Sequence, residues 1–225
     1  AMAYATPTAP DQGRRIRTLL GTYLRAGGRA AGSPALLVHS HGEGARLIGE
    51  LGRAARTSAA VHGVAARVLP LSVWHTASVG VDLWLAAVAH GAAQVWVLTT
   101  HEEAPEYRIA LAAQMRVAQA VLAGLGYAGE HFRLIDANDA SALDRALQTP
   151  PAQMVKTAAA FSVQADKRAT LELALDHLLA QAPQPQSVIS LEAQASPWGS
   201  VEIDKDRCTL CLSCVGACPE AALAD

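Results

Sequence analysis
From residue 14 to about residue 150, short apolar runs of strand length alternate with longer amphipathic runs that close on glycine. No other feature narrows the fold as far. In the first amphipathic run Ile16, Leu19, Leu20, Tyr23 and Leu24 fall on one helical face, and Gly27-Gly28 ends it. "SPALLVHS" follows as a strand. "GEGARLIGELGRAAR" is helical again through Leu47, Ile48, Leu51 and Ala55. "GVAARVLPL" reads as a second strand that Pro70 closes, since proline removes a ladder donor. Val81, Trp84, Leu85 and Val88 give a third helical face, and "QVWVLTT" a β-branched, aromatic strand.

Thr100 and Glu103 have capping-box spacing, and Pro105 suits a first turn, so a long helix is expected with Leu111, Met115, Ala118, Leu122 and Leu125 on its apolar stripe. "FRLIDA" is a fourth strand, with a short helix over 141–147. A further helix spans about 166–181, with Leu171, Ala174, Leu175, Leu178 and Leu179 on one side. "SVISL" reads as one more strand. Alternation of this kind predicts an α/β fold: a doubly wound parallel sheet of about four to five strands with helices on both faces. The expected organisation is a loose N-terminal segment over 1–13, the α/β domain over 14–150, and a helix and linker over 151–196. A separate small domain over 197–225 completes it.

That last stretch holds every cysteine of the chain. The first 207 residues contain none, and then "CTLCLSCVGACP" places Cys208, Cys211, Cys214 and Cys218 within eleven positions. Clustering of this kind marks metal ligands rather than disulfides, and a reducing, cytoplasmic setting is expected. Composition adds exclusions. A formal charge of −2 with 17% charged residues gives no basic excess for nucleic acid. The apolar runs are too short and interrupted for a membrane span.

The spacing C-x2-C-x2-C-x3-C-P resembles the cysteine run of bacterial ferredoxins. In that arrangement Cys208, Cys211 and Cys214 hold one 4Fe–4S cluster, and Cys218, followed by Pro219, serves the other cluster. A zinc knuckle is the competing reading, but zinc sites favour two separated pairs. "VEIDKDRCTLC" reads as the strand and turn entering such a module, and "PEAALAD" as the short helix and turn after its first half. The resemblance implies two such halves, so a partial ferredoxin module is expected in a chain cut from a longer polypeptide. Its first cluster would have three ligands in this chain and be incomplete or absent, unless a partner supplies the fourth.

In a parallel sheet, ligands gather at the carboxyl ends of the strands. Those ends are "HSHGEG", "LSVWHT", "TTHEEAPEY" and "DANDAS", so His39, His41, His75 and His101 share one predicted rim, with Glu102, Glu103, Asp136 and Asp139 nearby. The histidines are candidate ligands for zinc or another divalent ion; the bland alternative is a polar rim. Gly42 and Gly44 fit the start of a dinucleotide fingerprint, but Leu47 stands where its third glycine belongs. Asp136 and Asp139 could pair as acid and base, although Asp139 also suits a helix cap. Trp74, Trp84 and Trp96 read as packing residues.

Residues 35–147 resemble the delta subunit of methyl-viologen-reducing hydrogenase, through strand–turn–helix order and phrases such as "AVAHGAAQVWVL" followed by a histidine-containing turn and Tyr107-Arg108. The resemblance implies a flavodoxin-like domain that passes electrons between larger subunits through a two-iron cluster. The strand-end loops here contain no cysteine, so the scaffold and a docking role are what it leaves. The expected function is electron transfer through iron–sulfur chemistry, with other iron–sulfur or flavin redox domains or subunits as partners. A non-redox scaffold, or an enzyme using the histidine rim with a metal or nucleotide, is the alternative.

Overall fold
Alternate residues of a strand face opposite sides, so a strand apolar at every position must lie between two cores. That is the situation of β1 (Ala35–Ser40) and β3 (Gln94–Thr99), which are buried throughout their length in a computed structural model. The structure describes residues 7–199 and 202–218. They divide into two units, Ala1–Ala195 and Ser196–Asp225.

In the first unit β1, β2 (Val68–Val73), β3 and β4 (Phe132–Asp136) form a parallel sheet in the order β2-β1-β3-β4. Ala35 pairs with both Val68 and Gln94, and Val95 with Phe132. One face of the sheet presents Leu36, Val38, Val95 and Val97 to α1 (Ala9–Arg25), α3 (Val81–Ala89), α4 (Pro105–Gly124) and α6 (Lys167–Ala180). The other presents Leu37, Trp96, Leu98 and Ile135 to Leu47 and Leu51 of α2 (Glu43–Thr57) and Leu143 and Leu147 of α5 (Ala140–Leu147). Every residue of α3 after Val81 is buried, which explains its apolarity on all sides.

Several expectations change. The first helix begins at Ala9, not residue 14, because Thr8 and Asp11 form a reciprocal capping box: Asp11 N–H donates to Thr8 Oγ1 at 3.3 Å and Thr8 N–H to Asp11 Oδ2 at 3.0 Å. The loose segment expected over 1–13 is therefore helical from Ala9, and residues 1–6 lie outside the described residues. Pro70 sits inside β2. That strand is an edge, and the carbonyls of Arg67 and Val73 accept from β1 and from His41 just beyond it, so the intervening Pro70 turns its missing donor outward.

"SVISL" is not a strand, and the sheet has four strands among the described residues. The segment lies along α4, with Gln186 N–H on Gly124 O at 2.8 Å and Arg116 paired to Glu192 at 3.1 Å. A Cβ at Gly124 would come within 2.6 Å of Ile189, so glycine permits that approach. Leu179, expected on the apolar side of α6, is exposed. Glu103 does accept from Thr100 N–H at 2.7 Å, but within the loop before α4, whose cap is Ala104 with Pro105 at its first position.

Candidate functional site
The second unit is built around the cysteine run. The Asp204 carbonyl accepts from Cys208 N–H at 2.9 Å and turns the chain into it. Cys214 lies in a one-turn helix, α7 (Ser213–Ala217), and Cys218 is its C-cap. Leu210 and Leu212 flank Cys211 with φ of 55° and 58°, the only non-glycine residues at positive φ among the described residues. A left-handed leucine costs roughly 1–2 kcal/mol. Alternation of left- and right-handed residues is how a backbone turns successive N–H groups into an anion cradle, the arrangement around many iron–sulfur centres.

Cys208, Cys211 and Cys214 are exposed thiols, and Cys218 is half-buried. Cys211 Sγ lies 3.3 Å from Ser213 Oγ, and hydrogen bonding from Ser213 draws the thiol down to about 7, so near neutrality much of it is thiolate, the form that binds metal. Soft donors beside two left-handed residues are the chemistry that suits iron and sulfide. Among the described residues no three His, Cys, Asp or Glu side chains are already gathered as a ligand set, the cysteines included.

The strand-end rim of the first unit is organised differently from the expected four-histidine site. A depression of about 200 Å³ is lined by Ser40, His41, Gly42, Trp74, His75, Glu102 and Glu103. His39 is not part of it: the ring is buried, Nδ1 lies 2.8 Å from Ser40 O, and burial lowers its pKa and keeps it neutral. His41 stacks on Trp74 at 4.5 Å. His75 Nδ1 accepts from Ala77 N–H at 3.1 Å, and the ring meets the edge of Tyr107 at 4.9 Å. His101 is exposed and outside the depression. Three of the four expected histidines thus have separate local partners, and among the described residues no three such side chains are gathered as a ligand set.

Trp84 and Trp96 are fully buried, as packing residues should be, but Trp74 is 66% exposed beside His41. Asp136 pairs with Arg108 at 3.1 Å, whereas Asp139 Oδ1 caps α5 by accepting from Ala142 N–H at 2.8 Å, so the two are not an acid–base pair.

Sequence reasoning missed the role of Glu102. Its Oε2 accepts from Ser40 Oγ at 2.6 Å and from Glu43 N–H at 3.1 Å, at the start of α2. Glu103, next to it, is buried and accepts from Thr76 Oγ1 at 2.9 Å as well as from Thr100. The only hint in sequence is the absence of a capping side chain at Gly42.

Comparison with known families places a 4Fe–4S binding domain over residues 201–224, a match that holds all four cysteines. The cofactor this stretch implies is a 4Fe–4S cluster. No curated protein and no solved structure matches the chain. The hydrogenase delta-subunit resemblance of residues 35–147 accordingly has no support.

Proposed function
We propose that the chain is an electron-transfer component, in which the C-terminal module carries iron–sulfur chemistry and the α/β unit is a docking scaffold for other iron–sulfur or flavin redox domains. The match over 201–224 carries this reading. In it, Cys208, Cys211 and Cys214 bind one cluster and Cys218 reaches toward a second, so further cysteines outside these residues complete both. The left-handed Leu210 and Leu212 support it, because their strain is repaid only if the amides they orient have a partner. When bound, such a cluster takes up and releases one electron at a time. The protein's part is to bind it through thiolates, to direct N–H groups at its sulfides and to set how much water reaches it.

The sheet order 2-1-3-4 is compatible with a flavodoxin-like scaffold, one strand short. The α/β unit has no cysteine to hold a cluster of its own. What it offers a partner is the exposed Trp74, stacked on His41, beside His75 and Tyr107. That aromatic rim also favours the second reading, a scaffold with no redox role.

Anaerobic iron–sulfur reconstitution of the chain, alone and with candidate redox partner domains, separates the two. Electron transfer predicts reducible four-iron signals in paramagnetic resonance and loss of one signal in Cys211→Ser. Failure to take up iron and sulfide would leave only the scaffold.

A further inference from the structure
The sheet order reverses between β1 and β3, where the loops after the two strands part and α/β proteins commonly bind phosphate-bearing ligands at the start of the adjoining helix. Here that helix is α2. Its cap, Gly42, brings no side chain to the free N–H groups. We propose that Glu102, delivered from the loop after β3, is the resident anion of this position and closes the α/β unit to phosphate-bearing ligands.

Four features of the geometry carry this. Glu102 Oε2 takes the Glu43 N–H at 3.1 Å and the Ser40 hydroxyl at 2.6 Å. Ser40 Oγ in turn takes the Gly44 N–H at 2.9 Å, so two amides of the first turn are committed, one directly and one by relay. Gly42 is cut away for the carboxylate: a Cβ there would stand 2.6 Å from Glu102 Oε1. Finally, Glu102 itself lines the depression of about 200 Å³ that remains, so its carboxylate bounds the space a phosphate would enter.

The surrounding charge acts in the same sense. Glu43 is held by Arg46 at 2.7 Å, and Glu103 lines the same depression. A phosphate entering would meet these carboxylates and would have to displace Glu102 from donors it already satisfies. The inference does not depend on the iron–sulfur reading, and its test leaves the cysteine module untouched.

Inorganic phosphate is the probe, titrated into the isotopically labelled full chain with backbone amide shifts as readout. The wild type is expected to show no saturable movement of Ser40, Glu43 or Gly44 up to about 20 mM phosphate. Glu102→Ala should show saturable movement at those amides, with an apparent affinity at least tenfold above any wild-type response. Equal responses in the two proteins, or a folded Glu102→Ala that stays silent, would overturn the assignment. If that variant does not fold, Glu102→Gln keeps the shape without the charge. Its Glu43 and Gly44 amides must then move further than the wild type's, and an unchanged response defeats the proposal.

Discussion

His90 terminates α3, and its ring is 3% exposed against Phe161, 4.7 Å between centroids. Its Nδ1 lies 3.2 Å from the Ala159 carbonyl, so Nδ1 carries the proton and Nε2, which has no partner, is a bare acceptor. A helix C-terminus favours a cation by roughly 0.3–1 kcal/mol. Burial outweighs that and pulls the pKa from 6.5 to about 4. The unfolded chain therefore binds the proton more readily, and stability present above about pH 6.5 is lost as pH falls toward 4. With those two values linkage gives a loss of about 2 kcal/mol at pH 5 and about 3 kcal/mol below pH 4. His131, also buried and lowered by burial, adds a loss of the same sign.

Urea unfolding of the wild type and His90→Asn at pH 7.5 and pH 5.0 measures the effect. Asparagine keeps a donor for Ala159 and does not titrate. For a slope of about 2 kcal/mol/M, the wild-type midpoint should fall about 1 M further than the variant's. Carboxylate contributions, including that of buried Asp82, cancel in the difference. Equal shifts in the two proteins would refute the account. The segment affected first is also specified: Ala159 N–H donates to Ala89 O at 2.7 Å beside the His90 contact, so the extended connection before α6 should lose amide protection at pH 5 before the sheet does.

Leu210→Val should shorten, and Leu210→Gly lengthen, the survival of a reconstituted cluster against an iron chelator. A β-branched residue resists positive φ and glycine removes about 1 kcal/mol of strain, and because Leu210 is exposed no burial is lost. Equal survival in all three proteins would count against the left-handed cradle. Arg67→Met should cost about 3 kcal/mol, or ~10 °C in thermal melting, because Arg67 bonds Ser33 O, Gln94 Oε1 and Thr149 O and lies over Trp96 at 5.2 Å. A loss under about 1 kcal/mol would mean water replaces those bonds. Removing iron should abolish amide protection over 202–218, read by hydrogen exchange; retention of protection would show that the module folds without metal.

The two-sided core was legible because burial on both faces leaves uninterrupted apolar runs, as in 35–38 and 95–98. Asp139 was legible as a cap for a similar reason: its carboxylate acts three residues away. What escaped depends on the neighbour rather than the segment. Whether Pro70 ends a strand or sits inside one turns on β2 being an edge, and that is a property of the whole sheet. "SVISL" has strand composition, but Ile189 finds Gly124 of α4 instead of an open ladder, and Val188 is left exposed. The histidines shared strand ends, yet their rings took separate partners once Trp74 and Tyr107 were placed. Glu102 reaches α2 across 59 residues of sequence, beyond any periodicity. The left-handed leucines carry no compositional mark, since leucine ordinarily avoids that region.

The two units rest on different physics. In the first, apolar side chains on both sheet faces exclude water, and a polar group such as His90 stays neutral by burial. In the second, no described residue is buried: 202–218 are exposed except Val215 and Cys218, which are half-buried. A stretch this short with no apolar interior has nothing to set against the roughly 1–2 kcal/mol per residue of backbone entropy that order costs. It also carries two strained leucines. Bonds to a metal centre are the stabilisation that the 4Fe–4S match offers, since in small metal-binding domains their formation is itself the folding energy. The thiolates that would bind the electron-carrying cluster are then the ones that hold the loop in shape. A serine at any of Cys208, Cys211 or Cys214 should therefore remove the order of this loop together with the signal of the cluster those thiolates would hold.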